Sequence, residues 1–252
     1  MTFSIKYHIA VHTILFIMQT QQTKLSLNGR TLAMHQLTGQ SAHDALAEMK
    51  RLSGDGFEDR LGHSPAKVGF SDIKKLSSYY VMTPSIEGVH GIMMFTKLYG
   101  TEIVLLIDRN MKVFQIPLEN IPSELFKGSL IDGVLTSSKK GVSTFLRSDV
   151  WVVAGIHVSN LSMGVRITQM RACFQGFKSR SKDFVKFVDR DWPLPESSSV
   201  AQRLKKVQDE YHTKGYIMTH VASGPDADLF EVEDSLAEVI IKTATAASWY
   251  YS

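Results

Sequence analysis

Residues 90–118, HGIMMFTKLYGTEIVLLIDRNMKVFQIPL, leave the chain little choice of local structure. Three apolar segments, 90–98, 101–110 and 112–118, follow one another with short breaks at Tyr99–Gly100 and Arg109–Lys112. Each has strand length and is rich in Ile, Val and Phe. Breaks this short join antiparallel neighbours, because parallel strands need a crossover of a dozen or more residues. The segments 128–137 (GSLIDGVLTS), 149–158 (DVWVVAGIHV) and 214–222 (KGYIMTHVA) read as further strands, and a short one is expected at 184–188.

Helical spacing appears in two places. Ala45, Leu46, Met49 and Leu52 share one face of a helix over 40–52, with Ser41 as its expected N-cap. Val200, Leu204, Val207 and Tyr211 do the same over 197–212. A short helix is expected at 70–78 and another within 161–183. The result is an α+β fold of mostly antiparallel sheets with peripheral helices.

With 252 residues, 44% of them hydrophobic and 21% charged, the chain can bury one sizeable core. A net charge of +3 permits a phosphate-bearing partner without requiring one. Cys173 is the single cysteine, which excludes an internal disulfide and a thiolate zinc cluster. The apolar run Ile9–Met18 is too short to cross a bilayer, and no small-x-small cleavage site follows it. An intracellular protein, nuclear or cytoplasmic and without a membrane partner, is expected. An additional N-terminal strand, or a start at Met18, accounts for the run.

Residues 79–95, YYVMTPSIEGVHGIMMF, place a glycine-containing element, SIEG, between two strands. Five other segments accompany it in order: GHSPAKVGFSDIKKLSSYYV, EIVLLIDRNMKVFQI, GSLIDGVLT, DVWVVAGIHVSN and HTKGYIMTHV. Together they resemble the motifs of the messenger RNA capping guanylyltransferases, relatives of DNA and RNA ligases, over roughly residues 60–225. The resemblance implies a nucleotidyltransferase domain of the ATP-grasp-like type shared by capping enzymes and DNA ligase adenylation domains. It divides the chain into an extension (1–39), the domain (40–230) and a tail (231–252) where an OB-fold would follow.

In that family a lysine of Lys-x-Asp-Gly attacks the α-phosphate of GTP and forms a phosphoramidate. Here Ser85 stands at the lysine position, Glu87 keeps a carboxylate, Gly88 keeps the glycine, and His90 replaces a basic residue. Asp132 and Gly133 remain, but Val134 replaces a glutamate that orients the metal–nucleotide assembly. An isopropyl group binds no cation. The aromatic that stacks on guanine and the aspartate after it map to Ala154 and Gly155, with Trp151 and Tyr216 as nearby aromatics. Lys214 replaces an acidic residue, Ile217 and Thr219 are retained, and Lys242 is the nearest match to the family's terminal Lys-Trp-Lys.

These departures point to a catalytically degenerate relative. Nucleotide-binding candidates are Ser85, Glu87, Gly88, His90, Asp132, Ile217 and Lys242, with no intact catalytic residue and no metal site. No cofactor is required, although GTP with magnesium would be a weak ligand. Expected partners are an RNA 5′ end or cap, or an active capping enzyme subunit. A divergent enzyme using Lys97 or Lys214 as its amine is the third alternative. Each candidate also has a structural reading: Ser85 suits a plain turn, Glu87 a solvated turn, His90 an exposed strand position, and Asp132–Gly133 a hairpin. The basic residues of FKSRSKDFVKF (177–187) fit an RNA track or a solvated helix end, and RLKKVQDEY a solvated helix face.

Overall fold

The computed structural model describes residues 18–54, 66–67, 80–118, 120–174, 186–189, 200–220 and 229–232. The expected helix at 70–78, most of the basic run at 177–187 and Lys242 lie outside them.

Two sheets make up the fold. The larger contains β1 (Thr20–Leu27), β2 (Arg30–Leu37), β5 (Val89–Leu98), β6 (Thr101–Asp108), β7 (Val113–Gln115), β8 (Ser129–Ser137), β9 (Ser143–Val153), β10 (Ile156–His157) and β11 (Lys186–Asp189). Its order is β1-β2-β7-β6-β5-β8-β9-β10, antiparallel throughout, with β11 pairing parallel to β9. The smaller sheet has the order β3-β13-β12-β4, formed by Ala66–Lys67, Leu229–Val232, Thr213–His220 and Tyr80–Ile86. Three α-helices are described: α1 (Gly39–Ser53), α2 (Met163–Cys173) and α3 (Val200–Glu210). Mostly antiparallel sheets with few helices make this an α+β domain.

The expected three-strand meander is β5-β6-β7. Its runs fail to alternate because both faces of the sheet are covered. Met93, Phe95, Val104 and Leu106 pack with Met163, Ile167 and Met170 of α2. Ile92, Met94, Leu105 and Ile107 pack with Ala45, Met49 and Leu52 of α1. Three hairpins close through two-residue turns with positive φ at both positions: Asn28–Gly29 (49°, 81°), Tyr99–Gly100 (50°, 76°) and Ala154–Gly155 (49°, 83°). This turn matches the right-handed twist of paired strands.

Several expectations shift. The segment 20–37, counted on sequence with the N-terminal extension, forms a hairpin that joins the large sheet through β2 and β7. The strand expected at 149–158 starts earlier, at Ser143, and turns back at Ala154–Gly155. Asp132–Gly133 lies inside β8 and forms no hairpin; Gly133 serves close packing instead, since a Cβ there would meet the Leu146 carbonyl oxygen and the Phe145 ring. Ser41 does not cap α1 with its side chain. The cap position is Thr38, and the Gln19 side chain accepts the Gln40 N–H at 2.9 Å.

Candidate functional site

The chain leaves the small sheet at Ile86 and enters the large one at Val89, so Glu87 and Gly88 are the whole connection between β4 and β5. That connection is tied from three sides. The Glu87 N–H donates to the His212 carbonyl at 2.9 Å. The Glu87 carbonyl accepts from Thr136 Oγ1 at 2.6 Å and from Asn28 Nδ2 at 3.0 Å. Asn28 Nδ2 also reaches Thr136 Oγ1 at 3.0 Å. Gly88 lies flat on β8: a Cβ there would stand 2.4 Å from the Leu135 carbonyl oxygen and 2.8 Å from Val134 Cγ1. Only glycine permits so close a backbone approach.

Ser85 precedes this connection but is not a turn residue. It belongs to β4 and is buried, a correction to its reading as a plain turn. Because strand side chains alternate, Ser85 and Ile86 project to opposite faces of the small sheet. Ile86 packs with Val134, Leu146 and Tyr211, with Val207 of α3 against them. His90 is half-buried and pairs with Val134 across β5 and β8, while half-buried Asp132 pairs with Ile92 on one side and Asp149 on the other.

β4 pairs with β12, with Thr83 opposite Ile217 and Pro84 opposite Tyr216. Thr83, Ser85, Ile217 and Thr219 therefore share one face, and Pro84, Ile86, Tyr216 and Met218 the other. The hydroxyl-bearing members of the first face, Thr83, Ser85 and Thr219, are all buried.

The profile of the family described as mRNA capping enzyme, catalytic domain, matches residues 24–222. The chain belongs to this family. The capping-enzyme frame brings together Ser85, Glu87, Gly88, His90, Asp132 and Val134, and sets Ile217 one strand away. It does not bring Ala154 and Gly155 to them. Those two form the β9–β10 turn and are held at the start of β8: Ala154 N–H donates to Ser129 Oγ and Gly155 N–H to the Gly128 carbonyl. Six residues of β8 separate Ser129 from Leu135, roughly 20 Å at 3.3–3.4 Å per residue. The assignment of an aromatic–aspartate pair to positions 154 and 155 fails on this geometry.

A pair better placed on the same strand is Ser148–Asp149, which sequence reasoning passed over. Asp149 pairs with Asp132, and Ser148 sits where the register shifts between Asp132 and Gly133. Asp149 is buried and meets fully buried Arg166 of α2 in a two-pronged ion pair, Nε–Oδ1 2.8 Å and Nη2–Oδ2 2.7 Å. Burial pushes the Asp149 carboxyl above its ordinary range, against the pull of the Arg166 guanidinium. The signal in sequence was a polar triplet, Arg147–Ser148–Asp149, inside an otherwise apolar run. The bulge that gives it its place was not legible there.

Four other candidates, Lys97, Tyr216, Trp151 and Asp108, are engaged elsewhere in the fold. Lys97 bridges Glu102 at 3.4 Å, seven residues along β5 from His90, roughly 23 Å. Tyr216 is buried and accepts a hydrogen bond from Gln208 Nε2 of α3 at 2.9 Å. Trp151 is buried with Leu130 and Val152. Asp108, from the IDR segment, uses Oδ1 to accept the N–H groups of Asn110 and Lys112 and shapes the β6–β7 turn. Among the described residues no three His, Cys, Asp or Glu side chains converge to hold a metal. With Val134 in an apolar cluster, the residues present do not fit a divalent cation at this position. No helix among the described residues is long and apolar enough to cross a membrane.

Proposed function

We propose that this capping-enzyme domain, of the nucleotidyltransferase type, binds a guanine nucleotide, a cap or an RNA 5′ end without catalysing guanylate transfer. The observation that carries this reading is the combined replacement at two positions, Ser85 and Val134. At the position of the attacking amine stands a hydroxyl, a weak nucleophile without an activating base. At the position of the metal-linked glutamate stands a valine packed on Ile86, Leu146 and Tyr211. Both losses fall on the chemical step. The β4–β5 connection, the Gly88 contact with β8 and the hydroxyl face of the small sheet support retention of a binding frame.

The same apolar cluster favours a second reading, in which the domain is a structural partner of an active capping enzyme subunit and takes no nucleotide. Two measurements separate the readings from each other and from catalysis. Labelled GTP with magnesium or manganese, followed by a denaturing gel, is expected to leave no labelled protein; a labelled band overturns the non-catalytic reading. Calorimetry with GTP, a cap analogue and a 5′-triphosphate RNA is expected to give binding that survives a chelator. Absence of binding to all three leaves the partner reading.

A further inference from the structure

The pairing of β4 with β12 is regular from Tyr80 to Pro84 and then slips. Pro84 faces Tyr216, and Ile86 faces Thr213, so two residues of β12, Lys214 and Gly215, oppose the single residue Ser85. This is a β-bulge, and the extra residue is taken up at Gly215, whose φ is +63°. Bulges re-aim a side chain while the flanking ladder stays intact. Thr213 shares the face of Ile86, so the next residue, Lys214, projects to the face of Ser85. Lys214 is exposed, in keeping with a flexible amine at the rim of that face.

A second, independent observation concerns the floor of the same face. Thr83 is 2% exposed, and its hydroxyl has no hydrogen-bond partner among the described residues. A buried hydroxyl without a partner is costly, and native structures carry few of them. Ser85, at 4%, and Thr219, at 5%, add two more hydroxyls on that side of the sheet. Thr83 and Ser85, on the face to which Lys214 projects, match the needs of a phosphate ester together with it: hydroxyl donors for its oxygens and one compensating charge. The acids nearest in the ladder are Glu87, just past the end of β4, and Glu231, opposite Ile217 on β13; both are half-buried.

We propose that Lys214 is a phosphate-binding residue which, from the neighbouring strand, supplies the positive charge absent at Ser85. It acts together with the hydroxyls of Thr83 and Ser85 on a ligand bearing a 5′-phosphate chain, and needs no metal. The inference rests on the binding function proposed above and adds to it the group that recognises the phosphate.

The test is calorimetric titration of the full chain in the presence of a chelator, using GTP, 5′-triphosphate RNA and uncharged guanosine. The proteins are wild type, Lys214→Ala and Lys214→Arg, with circular dichroism to confirm that each is folded. Loss of one charge-assisted contact is expected to weaken GTP binding by about tenfold or more in Lys214→Ala. Lys214→Arg is expected to retain most of the affinity, and guanosine to bind all three proteins equally. A preference for GTP over the RNA, or the reverse, assigns the source of the phosphate chain. Equal GTP affinity for wild type and Lys214→Ala overturns this inference while leaving the binding function intact. No binding of GTP or RNA to wild type overturns this inference, and failure of a cap analogue as well overturns the binding function.

Discussion

Replacing Val134 by glutamate restores the family's residue at that position and tests whether the position still belongs to a solvated pocket. Val134 is 1% exposed, and its neighbours Ile86, Leu146 and Tyr211 are 0%, 3% and 6% exposed. The carboxyl of Val134→Glu would enter this cluster with no donor provided for it. A buried polar group without a partner costs about 1–3 kcal/mol, and the added atoms about 1–3 kcal/mol more through overpacking. The sum, about 2–6 kcal/mol, is a large part of the 5–15 kcal/mol typical of a domain. At about 2–4 °C per kcal/mol for a chain of this size, Tm is expected to fall by roughly 4–24 °C. Burial raises the pKa of the new carboxyl in the folded state, while the unfolded chain ionises near the ordinary value of about 4.3. Below that value both states are protonated and the deficit is smallest. As pH rises towards 7 the unfolded state loses its proton first, so the deficit grows. Thermal unfolding at pH 4 and pH 7, with Val134→Leu as a control for size, measures both effects. A Tm for Val134→Glu within about 2 °C of wild type at pH 7, with no pH trend, would refute the reasoning and mean that water reaches position 134.

Arg166→Met leaves Asp149 buried without its cation, a loss of about 3–5 kcal/mol by thermal or urea unfolding. The deficit should increase from pH 4 to pH 7, because the folded state without Arg166 holds Asp149 protonated to still higher pH; a pH-independent deficit would contradict the ion pair's role. Thr83→Val removes a hydroxyl that has no partner among the described residues while nearly preserving shape, so Tm is expected to rise, by about 2–4 °C for each kcal/mol recovered. The same variant should bind GTP more weakly, and a lowered Tm would show that the hydroxyl is already satisfied.

The elements of this fold were legible where composition alone dictates them. Runs such as IMMF and IVLLI are buried on both faces of a covered sheet, so their apolar content marks strands whatever the register. Helix α1 followed from Ala45, Met49 and Leu52 at helical spacing. Its capping did not, because the cap comes from Gln19, a residue outside the helix and brought there by chain folding. The hairpin at Asn28–Gly29 carried a strong turn signal in its two residues, and the part it plays at the site, holding the Glu87 carbonyl, depends on a contact 59 positions away.

The site was legible by motif and failed where motif spacing meets a bulge. Asp132 and Val134 lie in an unbroken stretch of β8, and their relation to Gly88 and His90 follows from simple alternation. β9 slips by one residue twice against β8, around Trp151 and around Ser148, and the acid that faces Asp132 is Asp149, six residues before Gly155. β12 slips once, at Lys214–Gly215, and there the slip brings a lysine opposite Ser85. Alternation at the end of β4 then separates the two fates of the site. Ile86 turns into the apolar cluster that contains Val134, while Ser85 turns to the hydroxyl face beside Lys214. Hydrocarbon therefore fills the side of the strand that faces Val134, and hydroxyls line the other. Under the function proposed above, the phosphate is held on the face of Ser85 and Lys214, apart from the apolar face that takes Val134.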